Sequence, residues 1–329
     1  LELLNLKTPL EVLSWIGRQG TRAVAALVVI GIALPWVGAL LKPHVTEAVF
    51  VLLCIAFLRV DIATVRTYLR RPALVLAATA WTSAAIPVMF GMSCYAFGVN
   101  AQTPSLFLAL MLQAVASPMM ASPALAALMG LDATLVLVTL VAATAIVPFT
   151  APLFASLFVG PALSIPPLML AVKLIAILAG AALVGFGARR FFGIAAIERQ
   201  KERINGFNVI VLFVFVAAVM ENVGVRALSD PVNTMALTAL AFVMFFSVLF
   251  LTVLVFLFAG REKALSLGFM VSQRNLGLML AATGGALPDL TWLYFALSQF
   301  PIYLSPYLLQ PIANRILDRT PRAGDQTLA

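Results

Sequence analysis

Long apolar runs separated by short charged loops dominate the chain, and their lengths predict helices that cross a membrane. A crossing needs about 20 apolar residues at 1.5 Å rise each. Ten stretches meet that requirement: 22–42, 45–62, 72–98, 102–130, 132–160, 166–190, 204–223, 234–260, 263–286 and 290–314. The fourth and fifth exceed what a bilayer needs, so tilting or interruption is expected there. Residues 1–21 read differently. Leu3, Leu4, Leu10, Val12, Leu13 and Trp15 are interleaved with polar residues, the pattern of an amphipathic segment lying along a membrane surface. That segment has charges on both sides of its apolar residues and no small-residue cleavage pattern, so it does not read as a signal peptide.

Composition carries the same message. The 329 residues are 63% hydrophobic and 10% charged, whereas soluble domains carry about 25% charged residues. No single globular core could hide that much apolar surface. The class is therefore an all-α polytopic membrane protein, and membrane lipid is its first partner. The net charge of +8 comes from short basic clusters between apolar spans, which suits anionic lipid at the cytoplasmic face and not nucleic acid. Two cysteines, Cys54 and Cys94, and a single histidine, His44, offer neither a disulfide framework nor a metal-ligand spacing.

Orientation follows from where Lys and Arg fall. With the N-terminus in the cytoplasm, inside segments hold 17 of the 21 basic residues: Lys7, Arg18, Arg22; Arg59, Arg66, Arg70, Arg71; Arg189, Arg190, Arg199, Lys201, Arg203; Arg261, Lys263; and Arg315, Arg319, Arg322. Outside segments hold Lys42 and Arg226, while Lys173 and Arg274 lie within spans. This asymmetry predicts ten spans with both termini cytoplasmic, because one span more or fewer would scramble it. Ten divides into two sets of five, 22–160 and 161–315, followed by a short cytoplasmic tail at 316–329. Five is odd, so the second set starts from the opposite side, and structural repeats here would be inverted repeats.

Inverted-repeat transporters commonly bind their solute where helices break at matching positions of the two halves. The fourth span contains Ser117-Pro118 and Ser122-Pro123. Each proline lacks an N–H and clashes with the carbonyl four residues back, which predicts freed carbonyls at Ala114 and Met119. With the Ser117 and Ser122 hydroxyls these would form an oxygen-rich patch suited to a small hard cation or a substrate hydroxyl. The matching span of the second half carries Ser272-Gln273-Arg274-Asn275. A guanidinium near mid-bilayer costs roughly 2.5–3.5 kcal/mol on insertion scales and is normally kept off lipid by a partner or a water-filled cavity. Gln273, Arg274 and Asn275 therefore read as binding residues. Blander assignments compete elsewhere. Ser-Pro pairs also merely kink helices, and a lone Asn or Gln often bonds one helix to another. Thr139 and Thr144 suit packing, Lys173 suits snorkelling to the outer interface, Glu221 and Asn222 suit a solvated span end, and Gly185 and Gly187 suit close helix contact.

At these residues the chain resembles the bile acid/sodium symporter family, within the wider superfamily of bile-acid and arsenite-type transporters. The run Arg274-Asn275-Leu276-Gly277-Leu278 resembles that family's ninth-span motif. Met129-Gly130-Leu131-Asp132 through Thr139, then Pro148-Phe149-Thr150-Ala151-Pro152, resembles its link into a fifth span ending in paired prolines. Arg59-Val60-Asp61 before Arg70-Arg71-Pro72 resembles its loop between spans two and three. The resemblance implies a core in which broken spans four and nine cross, and a panel of spans one, two, six and seven. It also implies a bacterial inner (plasma) membrane location, organic anions bound between core and panel, and sodium ligands at Ser122, Thr139 and Asn275. Departures accompany it. Pro123 stands where the family has asparagine, Met270 where it has a glutamate ligand, Arg274 where it has a glutamine ligand, and Thr82 where it has a third-span glutamine. A carboxylate is gone and a fixed positive charge has arrived, so Arg274 would stand in for a sodium ion. The function expected is secondary transport of a small organic anion, with sodium, protons or nothing as the coupling ion. No cofactor is implied beyond that sodium. Arsenite or oxyanion export is the neighbouring alternative, though no cysteine lies in the fourth span. A ligand sensor that does not transport is the alternative from another class. An enzyme is not expected, because the spans offer almost no His, Asp or Glu. Oligomeric state is not readable from the chain.

Overall fold

A computed structural model describes residues 11, 13–15, 31–60, 72–160, 165–285 and 287–317, and among them it contains helices and no strands. Most of the N-terminal segment, residues 22–30 of the first expected span, residues 61–71 between the second and third, the loop at 161–164 and the tail beyond 317 lie outside the described residues. Six helical stretches are long and apolar enough to cross a membrane: Pro35–Arg59, Pro72–Ala96, Ala133–Val159, Pro167–Phe192, Lys201–Ser229 and Pro231–Ala259. The protein is thus an all-α integral membrane protein. Its principal helices are α1 (Pro35–Leu41), α2 (Val45–Arg59), α3 (Pro72–Ala96), α4 (Pro104–Val115), α5 (Ser122–Leu128), α6 (Ala133–Val159), α7 (Pro167–Phe192), α8 (Lys201–Val219), α9 (Pro231–Phe256), α10 (Arg261–Ser272), α11 (Leu276–Thr283), α12 (Asp289–Leu297) and α13 (Gln299–Ile316).

Sequence chemistry accounts for many of the boundaries. Asp132 and Asp230 cap α6 and α9, their carboxylates accepting from the N–H groups of Leu135 and Asn233. Pro35, Pro72, Pro104, Pro167 and Pro231 stand at helix starts, where a missing N–H has no consequence. Pro87 is inside α3, and the helix widens to a π turn at Trp81–Ala85 just before it. The expected spans at 102–130 and 263–286 are each split in two, into α4 and α5 and into α10 and α11.

α1, α2, α7 and α8 pack on one another, and glycines set how closely. A Cβ on Gly185 of α7 would lie 2.7 Å from the Cys54 carbonyl oxygen, and one on Gly38 of α1 would lie 2.5 Å from that of Ala217. Gly187 differs from the sequence expectation: a Cβ there meets nothing within 4 Å, because it faces away from the contact. α2 runs antiparallel along α8, since Lys42 just before it pairs with Glu221 at 2.7 Å and Arg59 at its end donates to Asn205 at 2.7 Å.

Buried side chains form two apolar clusters, one above the other. In α6, Leu135 to Leu140 belong to the second cluster and Val147 to Val159 to the first. In α9, Leu237 and Ala241 belong to the first and Phe245 to Phe256 to the second. The switch from Met270 and Val271 to Leu276 and Leu278 happens across the break between α10 and α11. Both helix breaks therefore sit at the level where the two cores meet, near mid-height of the bundle.

Candidate functional site

The two breaks are joined through their backbones. The Met119 N–H donates to the Gln273 carbonyl at 2.7 Å, and the Asn275 N–H donates to the Ser117 carbonyl at 2.8 Å, with Pro118 and Arg274 facing each other as an antiparallel pair. In this register the facing pair exchanges no hydrogen bond of its own. Pro118 therefore occupies the one position of its strand-like turn where an N–H is not needed. Irregular backbone at membrane depth must be buried in protein or line a cavity, and here each break satisfies the other.

This changes the carbonyls that matter. Proline chemistry in a continuous helix would free the carbonyls of Ala114 and Met119. Instead α4 ends at Val115, the Met119 carbonyl accepts from the Ser122 N–H at 3.0 Å, and the carbonyls drawn into the crossing are those of Ala116 and Ser117. The reason is that α4 stops ahead of Pro118 instead of continuing as a kinked helix.

Arg274 is 3% exposed. Its Nη1 donates to the Ala116 carbonyl at 2.9 Å, while Nε and Nη2 are buried without a partner. Salt bridges at Lys42–Glu221 and Arg226–Asp289 lie elsewhere, so among the described residues Arg274 has no carboxylate partner. Beside it opens a cavity of about 350 Å³ between the α2–α8 pair and the crossing. Its wall is mostly apolar, with Val49, Leu52, Leu53, Leu212 and Phe215 on one side and Met119, Met120 and Leu140 on the other. Polar groups are few: Arg274, Asn275, Gln299 and Tyr303 inside, Asn208 on α8, and exposed Arg59 at the end of α2. An apolar room with a small number of placed polar groups is the usual form of a small-molecule site.

The expected site residues divide. Arg274 and Asn275 line the cavity, although the Asn275 side chain is partly committed, its Oδ1 accepting from the Leu278 N–H at 3.0 Å as the cap of α11. Gln273 points away: its Nε2 donates to Ser305 Oγ at 2.6 Å and to the Ile302 carbonyl at 3.3 Å, both on α13. Ser117, Ser122 and Thr139 are fully buried, are not part of the cavity wall, and their hydroxyl oxygens have no partner. Asn208, Gln299 and Tyr303 were not singled out from sequence. The usable signal was an amide side chain inside an apolar span, as at Asn208 and Gln299, where polarity is costly enough to suggest function. Arg59 was visible as a basic loop residue and within the Arg59-Val60-Asp61 resemblance, and neither placed it on a cavity wall.

No protein-family model matches this chain, and no curated protein matches it.

Proposed function

We propose that the protein is a secondary transporter that moves a small organic anion by alternating access, with the anion held in the cavity beside Arg274. The observation that carries this is a buried guanidinium with two unpartnered donor atoms on the wall of an otherwise apolar cavity, next to two helix breaks. A charge in that position without a counter-ion favours an anionic ligand, and a guanidinium matches a carboxylate or sulfonate bidentately. Apolar walls on both sides suit the ligand's body.

In this reading the ten expected spans form two inverted five-helix repeats, α4–α5 and α10–α11 being the corresponding broken helices, and the α1, α2, α7, α8 group moves against the remainder. The Arg59 end faces the cytoplasm, as the basic-residue count suggests. Sodium coupling is not part of the proposal. Ser122 and Thr139 offer hydroxyl oxygens without a partner, but Asn275 Oδ1 already accepts the cap bond of α11. Arg274 supplies the positive charge instead. Among the described residues no cysteine lines the cavity, which argues against thiolate capture of arsenite.

The test is a thermal-shift screen of the purified protein with carboxylates and sulfonates, bile-acid-like ones included, followed by uptake into proteoliposomes. Stabilisation by anions and not by their uncharged amides, with uptake unchanged when sodium is replaced by choline, is expected. Strict sodium dependence of uptake would overturn the sodium-free reading.

A further inference from the structure

One end of the cavity is closed, and the closure has a chemistry that the anion site does not use. The cavity runs from Val49, Phe215 and Gly277 down to Arg59 and Val60. Above Gly277 the walls touch: a Cβ there would lie 3.1 Å from the Phe215 ring and 3.3 Å from Val49. Beyond that contact sit Lys42, Glu221 and Trp292. The Trp292 indole N–H on α12 donates to the Val219 carbonyl at the end of α8 at 3.3 Å. The Lys42 ammonium lies 4.9 Å above the centre of the same ring and 2.7 Å from Glu221. Trp292 is 6% exposed and the Glu221 side chain 17%, while the Lys42 side chain is 39% exposed, so the indole is desolvated and the ammonium reaches solvent. A cation over an indole face at such an edge contributes about 0.5–1 kcal/mol.

What makes the cluster more than packing is which elements it joins. Lys42 and Glu221 belong to the α1–α2 and α8 ends, whereas Trp292 belongs to α12, which packs on α4 of the other group. Arg226, in the short helix Val223–Ser229 that follows α8, pairs nearby with Asp289 of α12 at 3.7 Å, but both are exposed, and such a pair contributes little. At the opposite end, Arg59 bonds to Asn205 within the α2–α8 pair. Lys42 and Trp292 pin the two groups to each other on the Glu221 side, while the cavity extends to the Arg59 end.

We propose that Lys42, Glu221 and Trp292 form a latch that holds the cavity shut on the Glu221 side, and that its release is what lets the cavity open there. The proposal rests on the alternating-access reading for its purpose, but its physical content is accessibility. The test places a single cysteine on the cavity wall, Val49→Cys, in a background with Cys54→Ala and Cys94→Ala. A membrane-impermeant maleimide is then applied to right-side-out and inside-out vesicles. The parent should react from the Arg59 side. Lys42→Gln, Glu221→Gln and Trp292→Phe should each raise labelling from the Glu221 side by roughly tenfold, equivalent to about 1.4 kcal/mol in the opening equilibrium. Lys42→Arg keeps a cation over the indole and beside Glu221, so it should label at close to the parent rate, and Trp292→Phe serves if the neutral variants at Lys42 and Glu221 fail to fold. Labelling from the Glu221 side that stays at the parent rate in folded Lys42→Gln and Glu221→Gln would overturn the latch, as would Lys42→Arg labelling as fast as Lys42→Gln. Responsive labelling without anion uptake would sustain the latch and overturn the transport reading. Uptake with unresponsive labelling would do the reverse.

Discussion

At Arg274 stability and binding pull in opposite directions. Burying a guanidinium with one carbonyl partner leaves its charge uncompensated, and lone buried charges destabilise by several kcal/mol. Replacing it with a side chain of similar length and no charge should relieve that cost. Arg274→Met is expected to unfold in denaturant at a midpoint equal to or above the parent's, while losing all stabilisation by anions. A midpoint well below the parent's would mean that the guanidinium has a structural partner after all. Its neighbour should behave in the opposite way. Gln273 bonds Ser305 and the Ile302 carbonyl, so Gln273→Ala should lower stability by about 1–3 kcal/mol, the cost of breaking buried hydrogen bonds. Its anion-binding midpoint should stay within about twofold of the parent's, the size of a change near 0.4 kcal/mol, as ligand-dependent melting curves would record. Two adjacent polar residues in one break thus have separable roles.

The elements make their own predictions. Because Pro118 faces Arg274 at the position that exchanges no hydrogen bond, Pro118→Ala should keep the crossing intact. Met119→Pro removes the N–H that donates to Gln273 and should cost at least about 3 kcal/mol, or abolish folding. Melting temperatures of the two variants separate these outcomes, and equal losses would contradict the crossing register. α2 and α7 offer a second pair. Gly185→Ala drives a methyl into the backbone of α2, whereas Gly187→Ala meets nothing and should be stabilising by roughly 0.5–1 kcal/mol through helix propensity. A glycine at each of two alternating positions looks the same in the sequence, and only the rotation of α7 about its axis tells which of them touches α2. The breaks were readable, since Ser-Pro twice and Arg between amides are both unaffordable in a plain span. Their pairing was not, because which carbonyl meets which N–H depends on two segments some 150 residues apart in sequence.

For the whole molecule, periodicity and charge count made the membrane class readable, as no soluble core could absorb these apolar runs. The cavity was not, for a reason visible in its wall: Val49, Leu212 and Met120 are ordinary span residues, and what distinguishes them is the space between helices distant in sequence. Arg59 and Trp292 illustrate the same gap. Arg59 read as loop charge and Trp292 carried no reading, yet Arg59 lines the cavity at one end and Trp292 bonds the end of α8 beyond the other. The cation-for-sodium exchange belongs at this scale, because it sets what the whole transport cycle requires. Anion-dependent stabilisation should be the same in sodium and in choline, within about twofold of midpoint concentration, a change near 0.4 kcal/mol. A tenfold tighter midpoint in sodium would restore a sodium site to the crossing.

The most direct measurement is the thermal stabilisation of the purified parent and of Arg274→Gln across one panel of carboxylates, sulfonates and the matching neutral amides. Some anions are expected to stabilise the parent while their amides do not, and Arg274→Gln should lose at least about tenfold in apparent affinity, in line with the roughly 1.5–3 kcal/mol of a charge-assisted hydrogen bond. Equal anion stabilisation in the two proteins, or equal stabilisation of the parent by acids and amides, would contradict it.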